Sequence, residues 1–331
     1  MWTAYWTTSP RNGELRTEPG RTPGEGEALV RTLRSGVSRG TEMLVHAGAV
    51  PAAVARTMRA PFQEGELPGP VKYGYLSVGV VEEGPADLVG RRVFCLYPHQ
   101  DRYVVPVTAL TPVPDDVPSD RAVLAGSVET AVNALWDAAP RLGDRVAVVG
   151  AGMVGGAVAA LLRTFPLDRL QLVDVDPARA DLAAALGVEW VHPDDAAGEC
   201  DLVIHCSASE SGLARGLELL GDEGELIEMS WYGTREPQVP LGAAFHARRL
   251  SIRASQVGAV SAARRARRTT ADRLALAMRL LADPAFDAFL TSRSDLAGLP
   301  AAMERLYAGG GSPLCHVVVY PESPKSTEEG A

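Results

Sequence analysis

The chain has 331 residues, 46% apolar and 22% charged, with a net charge of −9. That is the balance of a soluble globular protein of about two domains. The acidic charge argues against nucleic acid or anionic membranes as partners, and no run of 18 apolar residues is present to span a bilayer.

The opening segment MWTAYWTTSP lacks a basic flank and an apolar stretch, so no signal peptide is expected. Cys95, Cys200, Cys206 and Cys315 are scattered, with no C-x-x-C pair. They suit a reducing cytoplasm, and neither a disulfide frame nor a cysteine-rich zinc site.

The first third of the chain is rich in turn residues and poor in helical periodicity. Trp2–Thr8 reads as a strand, Asn12-Gly13 as a hairpin turn and Glu14–Thr17 as the return strand. Pro19–Gly26 reads as a loop, and Glu27–Arg34, Val78–Glu82, Arg92–Leu96 and Arg102–Pro106 as further strands, with Pro51–Arg59 as a short helix. The prediction is a mainly-β domain over residues 1–124.

Ser119–Asp137 has helical character, with Ser119 or Asp120 as its cap. From Arg145 onward the pattern alternates. Arg145–Val149, Leu170–Val173, Leu202–Cys206, Glu225–Met229 and Leu250–Ser255 read as strands, with a short strand at Val188–Val191. Ser211–Leu220 reads as a helix ended by Gly221. Such alternation predicts a doubly wound parallel sheet with helices on both faces, over residues 125–257. Ala263–Leu281 reads as an amphipathic helix opening with Arg264, Arg265, Arg267 and Arg268. These arginines are contacts for an anionic ligand or, more simply, a solvated face. Leu299–Tyr307 is a short helix and Leu314–Tyr320 a late strand, while the polar segment Pro321–Ala331 is expected to be disordered.

The strongest motif lies at the start of the alternating region. Gly150, Gly152 and Gly155 form G-x-G-x-x-G directly after a strand and at the mouth of an apolar helix. The glycines permit a tight turn, a close backbone approach to pyrophosphate and close helix–strand packing. The helix start, with Met153 and Val154, offers free N–H groups to phosphate. Asp174 ends the next strand, where an acid accepts from adenosine ribose hydroxyls and repels a 2′-phosphate. NAD is therefore expected over NADP. Arg179 either reaches the same ribose or is a solvated helix residue.

A β-rich first third, a dinucleotide unit and a short return segment resemble the medium-chain dehydrogenase/reductase superfamily of the zinc-type alcohol dehydrogenases. The resemblance implies a discontinuous GroES-like catalytic domain, residues 1–124 and 258–320, around a Rossmann NAD-binding domain. It also implies a homodimer or homotetramer. Zinc-dependent members carry Cys in an S-G-x-C-G-T-D stretch, a G-H-E tripeptide and a Cys before the dinucleotide strand. The corresponding stretches here place Ser38, Tyr75 and Gly126 at those positions, with Leu76 in place of the Glu. Zinc needs Cys, His or carboxylate ligands, so no catalytic zinc is expected. S-G-V-S-R-G-T-E and G-Y-L-S-V-G are similar to a zinc-free branch that includes bacteriochlorophyllide dehydrogenases. That likeness implies the reaction type and not the pigment.

Without a metal, another group must polarise the substrate oxygen. The candidates are His99, Tyr75, Thr41 and Glu42. His99 is alternatively a surface-loop histidine, Tyr75 a packed aromatic, and Glu42 a structural hydrogen-bond partner. Thr41 resembles the family's relay hydroxyl. Thr130 matches a family position that touches the nicotinamide, or is a helix-interior threonine. Ser207 and Ser230 follow strands, at the carboxyl ends where ligands of open α/β sheets bind.

Three functions follow from these residues. The first is zinc-free, NAD-dependent hydride transfer between nicotinamide and a small-molecule secondary alcohol or ketone. The second is an NADPH-type enoyl or quinone reductase, against which Asp174 counts. The third is a non-catalytic NAD-binding protein.

Overall fold

The computed structural model describes residues 1–242, 244–309 and 313–321. The polar segment expected to be disordered lies outside these residues beyond Pro321. Three sheets organise the chain. Six strands form a wholly parallel sheet in the order Glu189–Val191, Arg169–Val173, Arg145–Val149, Cys200–His205, Leu220–Glu228, Ser251–Ala254. Val146, Val148, Leu202, Ile204 and Ile227 are buried in it. Their unbroken apolar runs are what a strand covered on both faces requires.

A seven-stranded sheet is built on the long strand Glu27–Ser38. One edge of that strand pairs with Ser77–Glu83, and at its other edge Arg102–Pro106 and Cys315–Val319 pair with successive halves. Cys315–Val319 runs antiparallel to it, Cys315 opposite Ser38, and Leu290–Asp295 adds beyond. A four-stranded sheet carries the N-terminal hairpin Trp2–Ser9 and Asn12–Glu18.

Two side-chain contacts tie the return segment to earlier parts of the chain, one to the first segment and one to the helix that precedes the parallel sheet. Arg121 forks onto both carboxylate oxygens of Asp287 at 2.8 and 2.7 Å. Arg273, 1% exposed, meets Glu129 Oε1 at 2.9 Å and donates to Asn133 Oδ1 at 2.6 Å. Burial raises the Glu129 carboxyl's pKa despite the guanidinium beside it. Among the described residues no helix is long and apolar enough to cross a membrane.

Several elements differ from the sequence reading. The hairpin turn is Pro10-Arg11, with Arg11 in the left-handed region at φ 62°, and Asn12 already begins the return strand. Gly13 is needed instead because the Tyr5 ring occupies the place of a Cβ, 2.0 Å from Tyr5 Oη. Residues 52–58 form successive turns rather than a helix. The expected helix Ser119–Asp137 divides into Ser119–Ala122, preceded by Pro118 at the cap, and Ala125–Ala138. The helix after Ser209 spans Glu210–Leu219, and the following strand starts at Leu220, before Gly221 could end it. The late helix begins at Thr270, where Thr269 and Asp272 make a reciprocal capping box. Arg264, Arg265 and Arg267 therefore lie in turns, and Arg268 just after them, before the helix and not on its face.

Candidate functional site: a glycine turn and a hydroxyl cluster

The glycine turn leaves Val149 and enters the helix Met153–Leu162. Gly150 has φ 103°, and a Cβ there would lie 2.6 Å from Ser207 N. Nothing lies within 4 Å of a Cβ built on Gly152, so this face of the turn is open. A Cβ on Gly155 would lie 1.8 Å from the Gly150 carbonyl oxygen. No side chain caps the helix, and Met153 and Val154 in its first turn are half-buried. Their N–H groups and the helix dipole face the space a pyrophosphate would take.

Asp174 closes this space from the next strand. Its Oδ2 accepts from Ala151 N–H at 2.6 Å and its Oδ1 from Asp176 N–H at 2.9 Å. Arg179 Nε stands 3.6 Å from Asp176 Oδ2. A second cation arrives from the other unit. Arg39 opens the helix Arg39–His46, and its pKa is lowered first by burial and then by the charge of Arg179. Among the described residues no carboxylate forms an ion pair with Arg39. An anion bound near Arg39 would offset both effects. The sequence reading did not single out Arg39, because nothing local shows that its helix points at the glycine turn. A cleft of about 780 Å³ opens beside this end, lined by Asp176, Arg179, Ser292, Arg305, Leu314 and His316.

The second half of the site is aromatic and hydroxylic. Tyr75 packs edge-on against Tyr73, with ring centroids 6.1 Å apart. Its hydroxyl meets the side chains of Ser38 and Thr41. Burial, then the charge of Glu42, pushes the phenol up to about 12, while the two hydroxyls oppose the rise. A Cβ on Gly126 would lie 3.9 Å from the Tyr75 ring and 2.6 Å from Leu76 Cδ2. Ser38, Tyr75 and Gly126, distant in sequence, thus meet in space. A hydroxyl, a phenol and a bare backbone do not supply the thiolate, imidazole or carboxylate ligands that a catalytic zinc takes. Among the described residues no group of three His, Cys, Asp or Glu side chains converges to hold a metal.

Glu42 and His99 stand behind this cluster. Glu42 Oε1 accepts from Ser38 N–H at 2.7 Å, and Oε2 meets His99 Nε2 at 2.9 Å. His99 Nδ1 meets Ser35 Oγ at 2.7 Å, and Ser35 Oγ meets Tyr320 Oη at 3.0 Å. His99 is only 1% exposed, under Gly74, whose Cβ would lie 3.0 Å from His99 Cδ2. It is a buried residue and not a surface-loop histidine, with Glu42 and Ser35 as its side-chain partners. Thr130 donates to the Gly126 carbonyl at 2.8 Å, a bond within its own helix turn.

Ser207 and Ser230 belong to a network at the ends of two adjacent strands. His205 Nδ1 meets Glu228 Oε2 at 2.8 Å and His205 Nε2 meets Ser207 Oγ at 2.7 Å. Ser230 N–H donates to Glu228 Oε1 at 2.7 Å, and Ser230 Oγ accepts from Ala208 N–H at 3.0 Å. The sequence reading found the two serines by position and missed His205 and Glu228, which look like ordinary strand-end residues until the strands pair.

No family model matches the chain. A 58-residue stretch is 50% identical to quinate/shikimate dehydrogenase (NAD(+)) of Corynebacterium efficiens, covering 16% of this chain and 20% of that protein. A 122-residue stretch is 31% identical to alcohol dehydrogenase class-3 of Pisum sativum, covering 36% and 32% respectively. The matches thus span a fifth to a third of these curated relatives' lengths. The solved L-idonate 5-dehydrogenase of Escherichia coli superposes with a TM-score of 0.79 at 15% identity, over 96% of this chain and 98% of that one. The chain therefore has the fold of that solved structure, a mainly-β GroES-like unit with a Rossmann unit.

Proposed function

We propose that the chain is a nicotinamide-dependent oxidoreductase that moves hydride between NAD(H) and a secondary alcohol or ketone without catalytic zinc. The observation that carries this reading is the meeting of Tyr75 with Ser38, Thr41 and Gly126. The nicotinamide, when bound, gives or accepts the hydride. Gly150, Gly152 and Gly155 would hold its phosphates, with Arg39 and Arg179 to either side and Asp174 at the ribose. Tyr75, kept neutral by its raised pKa, donates a hydrogen bond to the substrate oxygen as negative charge develops there. Ser38 and Thr41 orient the phenol, and Glu42 holds the Ser38 backbone in place.

One observation favours a second reading. Arg179, near Asp176, and Arg39, which feels the Arg179 charge, suit a 2′-phosphate, as an NADPH-type enoyl or quinone reductase would need. Asp174 opposes it. Titration with NADH and NADPH separates the two: tighter NADH with ketone reduction supports the first, and strong NADPH preference with enone or quinone reduction supports the second. A protein that binds neither nucleotide overturns both. Cytoplasmic location and homo-oligomeric assembly belong to the same reading; the exposed edge strand Ser251–Ala254 leaves a sheet edge for a second copy.

A further inference from the structure

We propose that the segment Arg264–Arg268 is a binding site for a small ligand carrying two or more linked phosphate groups, separate from the dinucleotide turn. The site goes beyond the hydride-transfer reading and does not rest on it. Two grooves of about 250 and 370 Å³ lie at this segment. Arg264, Arg267 and Arg268 line the larger one. Arg264 and Arg268 also line the smaller one, with Trp136, Asp272 and Arg279. The shared arginines make the grooves neighbours, and together they reach the size of small-molecule sites, roughly 300–1,000 Å³. None of the lining residues belongs to the glycine turn or to the hydroxyl cluster around Tyr75.

Charge sets this segment apart. The chain carries 41 acidic and 32 basic side chains. Exposed arginines elsewhere take carboxylate partners, as Arg249 does with Glu223 at 3.1 Å and Arg253 with Glu225 at 2.7 Å. Among the described residues no carboxylate forms an ion pair with Arg264, Arg265, Arg267, Arg268 or Arg279. Asp272, the acid in the lining, is held by the helix cap instead. Its Oδ2 accepts from the Thr269 N–H and the Thr269 hydroxyl, both at 2.9 Å. Crowded like charges repel, and a ligand with several negative charges removes that repulsion.

The backbone that presents these arginines is anchored, unlike that of a solvated tail. The N–H groups of Arg264 and Arg265 donate to the Ser261 carbonyl at 2.8 and 2.9 Å, and those of Arg267 and Arg268 to the Arg264 carbonyl at 2.8 and 3.0 Å. Ser261 is 4% exposed, and its N–H donates to Asn133 Oδ1 at 3.0 Å. The buried Arg273 guanidinium donates to the same oxygen and to the Val257 and Ala259 carbonyls. Binding therefore orders side chains and leaves the backbone as it is, which lowers its entropic cost. Phosphate suits the arginines because a guanidinium fork meets two of its oxygens at once, and linked phosphates bring several charges within reach of one groove. Trp136 offers an apolar wall to the organic part of a phosphate ester.

The test is calorimetric titration of the full chain with inorganic triphosphate, with and without excess NADH. One triphosphate per chain is expected, bound at least about tenfold tighter than orthophosphate or citrate, with affinity falling as NaCl is raised. Arg264→Gln and Arg268→Gln should each weaken it about tenfold. Arg56→Gln, the same charge change at an exposed arginine in the turns of residues 52–58, should alter it less than about twofold. Triphosphate displaced by NADH, or bound equally by wild type and Arg264→Gln, overturns the site, as does citrate binding as tightly as triphosphate. A chain that binds triphosphate through these arginines and no NADH keeps the site and removes the hydride-transfer reading; one that binds NADH and no triphosphate does the reverse.

Discussion

His99 Nε2 and Glu42 Oε2 lie 2.9 Å apart in a fully buried pair, and the other Glu42 oxygen holds the backbone of Ser38. Removing the carboxylate leaves both donors without a partner inside the fold. Glu42→Ala is therefore expected to cost about 1–3 kcal/mol of stability, more than a typical single hydrogen bond, because the orphaned groups stay buried. Urea unfolding measures it, and a loss below about 0.5 kcal/mol would show that water reaches the pair. His99→Ala should slow turnover only through this displacement, with NADH affinity unchanged.

Tyr75→Phe keeps the ring packing against Tyr73 and deletes the hydroxyl that meets Ser38 and Thr41. The expected result is a fall in kcat of about 10²-fold or more with NADH binding intact, the scale of losing one donor to a developing oxyanion. Equal kcat in the variant would remove Tyr75 from the chemistry.

Gly155 and Asp174 test the dinucleotide site. Gly155→Val places atoms against the Gly150 carbonyl, already only 1.8 Å from a Cβ, so the helix must move from the turn and NADH binding should be lost. Asp174→Ala removes the ribose acceptor and the negative charge; NADH should weaken by about tenfold and NADPH should gain relative to it. Calorimetric titration of both nucleotides reads both outcomes, and unaltered NADH affinity in Asp174→Ala would place the ribose elsewhere.

His316 gives a pH prediction. Burial, followed by the charges of His99 and Arg305, lowers its pKa from 6.5 to about 4, and its ring nitrogens meet Ser292 and Ser294 at 2.9 Å. The unfolded chain binds a proton near pH 6.5 that the folded chain refuses until about pH 4. Stability from this group is therefore complete above pH 6.5 and is lost as pH falls toward 4, by up to ~3 kcal/mol. His316→Asn should flatten the decline in unfolding free energy between pH 7 and pH 4.5; an identical decline would assign it to other groups.

Arg273 and Glu129 form a buried ion pair between the helices Thr270–Leu280 and Ala125–Ala138. Either single truncation leaves an uncompensated charge inside and should cost about 3–5 kcal/mol. Arg273→Met combined with Glu129→Leu should recover most of that loss. A double variant as unstable as the two singles added together would show that the pair does not act as a unit.

The glycine turn and the alternation after Arg145 were legible because each rests on a local rule, a backbone needing no Cβ or a strand apolar on both faces. The three positions Ser38, Tyr75 and Gly126 were legible through their flanking motifs. The partners of Glu42 and His205 were not, since His99 and Glu228 reach them only after sheets assemble. The hairpin turn at Pro10-Arg11 was missed because Arg11 takes a conformation usually left to glycine or asparagine. The arginines at 264–268 were assigned to a helix because periodicity does not reveal where a Thr269–Asp272 cap starts it.

The pairing of Cys315–Val319 with Glu27–Ser38 has a consequence for how the molecule is made. The ribosome delivers the central ribbon of the first unit nearly three hundred residues before the neighbour that closes its flank. Until then the half of that flank from Arg34 to Ser38 is bare, and the Rossmann unit can form while its host is still unfinished. Slow maturation, and protection by chaperones of one exposed edge, follow from where a single late strand is threaded.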